Sequence, residues 1–252
     1  MIFRSFFSVL TLVLWAGSSI AQSHNHNHNN HIYESPEYEE EWMQPSLHPD
    51  RIMLNFGADP TTTASVTWRT NTEVKTAYAE IAKATAAPKF WRTAERFTAK
   101  TTLLDGSQVI DAGIVANYHS VTFNGLESNN LYGYRVGDGE HWSEWIQFRT
   151  ASTTNDKFSF LYVGDAQNYI LELWSRLIRQ GFQLAPDASF IVHAGDLVGD
   201  AHREEHWEEW FKAGSFIHGM IPSFPTPGNH EYDYLYDNQD NKQKQLSIQW
   251  RH

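Results

Sequence analysis

Residues 188–196 read ASFIVHAGD. A continuous apolar run that stops on a Gly-Asp turn is the pattern of a strand buried on both faces, as in a parallel sheet. The same texture recurs on both sides. Upstream, FSFLYVGD (158–165) is a second apolar run ending in Gly-Asp. Downstream, IPSFPTPG (221–228) is a short strand that runs into GNHE (228–231). Between the first two strands, NYILELWSRLIRQG (168–181) sets Ile170, Leu171, Leu173, Trp174, Leu177 and Ile178 at helical spacing, with Gly181 as a C-terminal stop. Between the last two, REEHWEEWFKAG (203–214) reads as an amphipathic helix with Trp207, Trp210 and Phe211 on one side. The order β-α-β-α-β predicts a parallel sheet with crossover helices.

The texture before residue 150 is different. ASVTWRT alternates Val66 and Trp68 against polar neighbours, YHSVTFNGL does so with Val121 and Phe123, and LYGYRVGDG with Tyr132, Tyr134 and Val136. WIQFRT closes the region. Short alternating strands at this spacing predict an all-β sandwich over residues 50–150. Asp105-Gly106 marks a hairpin turn. Leu126 followed six residues later by Tyr132 resembles the tyrosine corner of fibronectin type III domains, in which the hydroxyl turns back to nearby backbone. ASTTND (151–156) is a small-polar linker, and the α/β region occupies 157–252.

The chain has 252 residues, a hydrophobic fraction of 41% and ten tryptophans, a composition that supports packed cores rather than disorder. Its formal net charge is −11, which disfavours nucleic-acid backbones and anionic membranes as partners. A phosphorylated substrate is not excluded, because a bound metal inverts the local field. There is no cysteine, so disulfides, thiolate ligands and a cysteine nucleophile are ruled out. At the N-terminus Arg4, the apolar run Phe6 to Trp15 and the small residues Ser19 and Ala21 read as a secretory signal over 1–21, with export to the periplasm or medium and no membrane association after cleavage. Residues 22–49 are a His/Asn-rich and acidic linker.

Three turns now fall into line: Gly164-Asp165, Gly195-Asp196 and Gly228-Asn229-His230-Glu231. Each follows the C-terminal end of a parallel strand, and those ends share the edge of the sheet where ligands bind. Carboxylate, amide oxygen and imidazole without thiolate suit hard or borderline divalent metals.

The motifs GDAQ, GDLVGD and GNHE resemble the calcineurin-like metallophosphoesterase superfamily. The preceding sandwich makes the chain similar to purple acid phosphatases in particular. The resemblance implies two metal ions, Fe, Zn or Mn, and hydrolysis of phosphate monoesters by a hydroxide held between them. It implies Asp165 on the first ion, Asp196 bridging and Asn229 on the second. His230 faces the substrate and protonates the leaving alkoxide, and Glu231 orients His230 or its turn. The substrate is a phosphorylated small molecule. A phosphodiesterase or nucleotidase on the same fold is the near alternative. An inactive chain acting only as a binding module, through the aromatic-rich sandwich, is the alternative of another class.

The chain departs from the family pattern in three places. Gly199 stands where purple acid phosphatases carry an iron-ligating tyrosine. Gln167 stands where many relatives carry a histidine, and its amide oxygen is a candidate ligand. Only 22 residues follow His230, without the family's Gly-His-x-His turn, so the expectation is a chain cut within its catalytic domain. His193, His202, His206 and His218 are read as packing or surface residues.

Overall fold

A computed structural model of the protein describes residues 43–110, 113–154, 157–233 and 244–251. The expected signal and most of the following linker lie outside the described residues, as does His252.

Eight strands build the N-terminal sandwich: β1 (Asp50–Phe56), β2 (Ala64–Thr70), β3 (Tyr78–Lys83), β4 (Glu95–Thr98), β5 (Lys100–Asp105), β6 (Val115–Phe123), β7 (Leu131–Gly137) and β8 (Ile146–Arg149). They form two antiparallel sheets, ordered β1-β2-β6-β5 and β4-β3-β7-β8. The alternation in the sequence sets which face turns inward. Val66, Trp68, Phe123, Tyr134 and Val136 are all fully buried and meet between the sheets. Each such side chain stabilises the fold by roughly 1.5–3 kcal/mol. Tyr132 makes the corner: its hydroxyl accepts the Glu127 N–H at 2.9 Å. β5 and β6 do pair, with Asp105 opposite Val115, but their connection runs from Gly106 to Ile114 rather than through a tight two-residue turn.

On the outer face of the second sheet, Glu80 binds two arginines, Arg96 at 2.9 Å and Arg135 at 2.8 Å. The Arg135 guanidinium lies 4.2 Å from the Trp142 ring centroid and 5.0 Å from that of Trp145, and Arg96 lies 5.4 Å from Trp142. Arginine and tryptophan thus fill one another's faces, each contact contributing about 0.5–1 kcal/mol at an exposed site.

In the second region β9 (Leu161–Val163), β10 (Ile191–Ala194) and β11 (Ser223–Thr226) form a parallel sheet in the order β11-β10-β9. A π-helical turn, Ile170–Trp174, leads into α1 (Ser175–Leu184); α2 (Glu204–Gly214) and α3 (Phe216–Met220) complete the second crossover. Ile170, Trp174, Ile178, Ile191, Trp207 and Trp210 pack into one core between the helices and the sheet.

Two expectations are corrected here. FSFLYVGD is not buried on both faces: Tyr162 is 69% exposed and Phe158 67% exposed, because among the described residues the helices cover one side of the sheet only. Gly181 does not end its helix. It lies inside α1, and a Cβ there would make ordinary contact with Leu161 Cδ1 at 3.4 Å. Among the described residues no helix is long and apolar enough to cross a membrane.

The two regions are joined. The Tyr134 hydroxyl, at the centre of the sandwich, donates to the Gly219 carbonyl of α3 at 2.7 Å. Arg51, at a bulge in β1 with φ +49°, reaches Glu204 Oε1 at 2.5 Å and Glu208 Oε2 at 3.1 Å on α2.

Candidate functional site: three turns at one sheet edge

The parallel strands deliver their C-terminal turns to a single edge. The Asp165 N–H donates to the Gly195 carbonyl at 3.1 Å, which ties the first turn to the second. Both Asp165 and Asp196 hold left-handed backbone, φ +52° and +51°, a conformation that Asp and Asn tolerate better than other side-chain-bearing residues. The second and third turns touch so closely that only glycine fits. A Cβ on Gly195 would stand 2.9 Å from Gly228 Cα, and one on Gly228 would stand 2.2 Å from Asp196 Oδ1.

Asn229–Glu231 forms a short 3-10 turn after β11. Glu231 is wholly buried. Its Oε2 accepts the N–H groups of Gly228 at 2.6 Å and Asp196 at 3.0 Å, and its Oε1 those of Leu197 at 2.7 Å and Val198 at 3.3 Å. One carboxylate therefore satisfies four amides of two turns, which otherwise sit at a strand end with no ladder partner. In return Asp196 Oδ1 accepts the His230 N–H at 3.1 Å. Glu231 thus holds the turns rather than the imidazole.

The imidazole is fixed by a different group. His230 Nδ1 lies 2.7 Å from the Gly199 carbonyl oxygen, which can only accept, so Nδ1 carries the hydrogen. Nε2 takes no part in that contact. Gly199, where the resemblance expects tyrosine, supplies a carbonyl, and a Cβ there would stand 3.1 Å from the Gln167 carbonyl oxygen.

Asp165 and Asn229 are exposed, and Asp196, Gln167 and His230 half-buried, so the five predicted residues line an accessible edge. The other polar groups have local work. The Asp200 N–H donates to His206 Nδ1 at 3.1 Å and Asp200 Oδ1 accepts the His202 N–H at 2.9 Å, which makes Asp200 a turn former. His193 is 2% exposed and His218 1%. His218 stacks on Trp210 with ring centroids 4.2 Å apart, and His193 lies 5.2 Å from the same ring. Burial, with His218 nearby, pulls His193 down to about 3, and burial pulls His218 down to about 4. Both are neutral packing residues, as their positions in the sequence suggest.

Among the described residues no group of three or more His, Asp or Glu side chains is placed to hold a metal ion. The oxygen donors at the edge still fit a hard cation. Gln167 Oε1 is buried and has no hydrogen-bond partner among the described residues, a lone carbonyl acceptor of the kind a hard cation takes. Sequence reasoning missed two features: the fourfold use of Glu231, and the Gly199 carbonyl as holder of His230. A backbone acceptor leaves no mark in the sequence; a buried acid at the end of GNHE does.

Residues 49–150 match the family described as purple acid phosphatase, N-terminal domain, and residues 158–252 match calcineurin-like phosphoesterase. No curated protein matches the chain. Among solved structures, the purple acid phosphatase PPD1 from yellow lupin (Lupinus luteus) seeds superposes with a TM-score of 0.62 at 17% identity, over 74% of this chain and 36% of that one. PhoD superposes with a TM-score of 0.51 at 15% identity, over 77% of this chain and 41% of that one. The chain thus spans between a third and a half of the length of these two structures. At such identities the likeness speaks for the fold: a β-sandwich, then a metallophosphoesterase-type α/β region. Matched in this order, residues 49–150 read as a purple acid phosphatase N-terminal domain and residues 158–252 as a calcineurin-like phosphoesterase region.

Proposed function

We propose that the chain carries an exported, metal-dependent phosphoesterase of the acid-phosphatase type, acting on phosphate monoesters of small molecules. The observation that carries this reading is the convergence of Asp165, Asp196 and Asn229 on one edge, with the last two turns locked to each other through Glu231 and Asp196.

Asp165, Gln167, Asp196 and Asn229 are the residues that would hold cations, two in the full form of the site, as Fe, Zn or Mn. Bound there, such ions supply Lewis-acid charge for phosphoryl oxygens and acidify a water near neutral pH. The protein's own part is positional. Glu231 holds together the two turns that carry Asp196 and Asn229. His230, with Nδ1 anchored on Gly199, would present Nε2 to the substrate, and in its doubly protonated form would stabilise charge on the phosphoryl group and pass the Nε2 proton to the leaving alkoxide.

The test is hydrolysis of p-nitrophenyl phosphate by the chain from Gln22, with Mn2+, Zn2+ or iron added, beside Asp196→Ala and Asn229→Ala. Without the family's Gly-His-x-His turn, very weak or no turnover is expected from this chain, and any metal-dependent turnover is expected to be lost in both variants. Turnover that persists in both variants, or under a chelator, overturns the reading. Bis-p-nitrophenyl phosphate in parallel separates monoesterase from diesterase action.

A further inference from the structure

α2 begins four residues after Asp200, so its first turn continues the loop that carries Asp196 and the Gly199 carbonyl. That turn opens with Glu204, which is fully buried. Glu204 Oε1 accepts from Arg51 at 2.5 Å and from Arg69 at 2.8 Å, both arginines belonging to the sandwich. Its other oxygen, Oε2, accepts the Gln249 amide at 3.2 Å. Gln249 lies two residues after Ser247, whose N–H donates to the Glu231 carbonyl at 2.9 Å. One carboxylate therefore joins the sandwich, the root of the Asp196 loop and the segment that braces the Asn229–Glu231 turn.

The sandwich side is built for this contact. Arg69 is held by Asp50 at 2.8 and 2.7 Å, and by the Met43 carbonyl at 3.0 Å. Arg51 reaches α2 from a bulge in the β1–β2 pairing, and its left-handed backbone is an energetic cost that a mere surface arginine has no reason to carry. Bulges of this kind re-aim side chains beside functional sites.

We propose that Glu204 is a positioning residue for the sheet-edge site, and that through it the sandwich, by way of Arg51 and Arg69, sets the Asp196 loop and the Asn229–Glu231 turn. The sandwich is then a working part of the site rather than a passenger. The proposal rests on the phosphoesterase reading for what the site binds, but not for the coupling itself.

The experiment measures amide hydrogen exchange and Mn2+ affinity, the latter by electron paramagnetic resonance, on the chain from Gln22. In Glu204→Gln the amides of Asp196, Leu197 and Val198 exchange about tenfold faster or more, while those of Val66 and Tyr134 in the sandwich are unchanged. Mn2+ affinity falls about 10- to 100-fold, the usual effect of removing an outer partner of a metal site. Should Glu204→Gln fail to fold, the fourfold change Arg51→Met, Arg69→Met, Glu204→Met, Glu208→Met leaves no lone buried charge. It is read in the same way and shows the same loosening. Unchanged exchange at Asp196 to Val198 in whichever variant folds overturns the proposal. Absence of Mn2+ binding in the unmodified chain, or binding equal in Asp196→Ala, overturns the site reading instead, and the exchange data still decide the coupling.

Discussion

Asp196 and Glu231 hold each other's turns. The Glu231 carboxylate accepts the Asp196 N–H at 3.0 Å, and the Asp196 carboxylate accepts, at 3.1 Å, the N–H of His230, the residue just before Glu231. The two turns are 35 residues apart in the chain and are brought together by the parallel pairing of β10 and β11.

Glu231→Ala is expected to be severe for that reason. It strands four amides, and a buried donor left without a partner costs about 1–3 kcal/mol. A loss of about 3 kcal/mol or more in urea unfolding is predicted. Glu231→Gln keeps one acceptor oxygen but turns an NH2 toward N–H donors, and is predicted to lie between the two. A Glu231→Ala protein as stable as the parent would refute the clamp.

Gly228→Ala tests the packing of the same turns. A Cβ there would overlap Asp196 Oδ1 at 2.2 Å, so the carboxylate or the turn has to move. Mn2+ binding, read by paramagnetic resonance, is predicted to drop about tenfold or more, on the scale of a lost supporting contact. Binding unchanged from the parent would mean that Asp196 is not a ligand in its present pose.

Acid is predicted to destabilise the protein through its buried histidines. Burial pulls His193 down to about 3, and His119 and His218 to about 4. An unfolded histidine takes up a proton near pH 6.5. Above that value neither state is charged and stability is at its full level. As the pH falls the unfolded chain binds protons first, and each histidine withdraws up to about 1.4 kcal/mol per pH unit until its folded value is reached. Unfolding curves at about pH 7.5 and about pH 5 check the sign. His218→Phe, which keeps the stack on Trp210, is expected to flatten the dependence. A midpoint that rises on acidification contradicts this account.

Iron loading gives a further check. With Gly199 in the position where the purple enzymes carry tyrosine, the Fe3+-loaded protein is predicted to be without the visible tyrosinate band. A purple protein would show that another tyrosine has taken that place.

Much of the fold is legible because its periods are clean. The alternation around Trp68, Phe123 and Tyr134 announces strands, and the apolar runs ending in Gly-Asp announce a parallel edge. Gly181 misled because glycine is tolerated inside a helix as well as just beyond its end, so its identity alone does not mark a stop. FSFLYVGD misled because a run of apolar residues records what a strand can bury, not what covers it; Tyr162 stands open on the uncovered face. At the site, Asp165, Asp196, Asn229 and His230 stand out as polar residues on glycine turns. The hold of Gly199 on His230, and of Arg51 and Arg69 on Glu204, does not, since one uses a carbonyl and the other joins residues more than 130 positions apart.

The bulge at Arg51 has a consequence for how the chain can be divided. The carboxylates that hydrogen-bond the Arg51 guanidinium, Glu204 and Glu208, both belong to α2, across the linker from the strand that carries it. Each region is the other's counter-ion. The border near residue 155 is therefore a boundary in sequence but not in charge. An exchange of sandwiches between relatives succeeds only when the donor brings a matching cation to that spot.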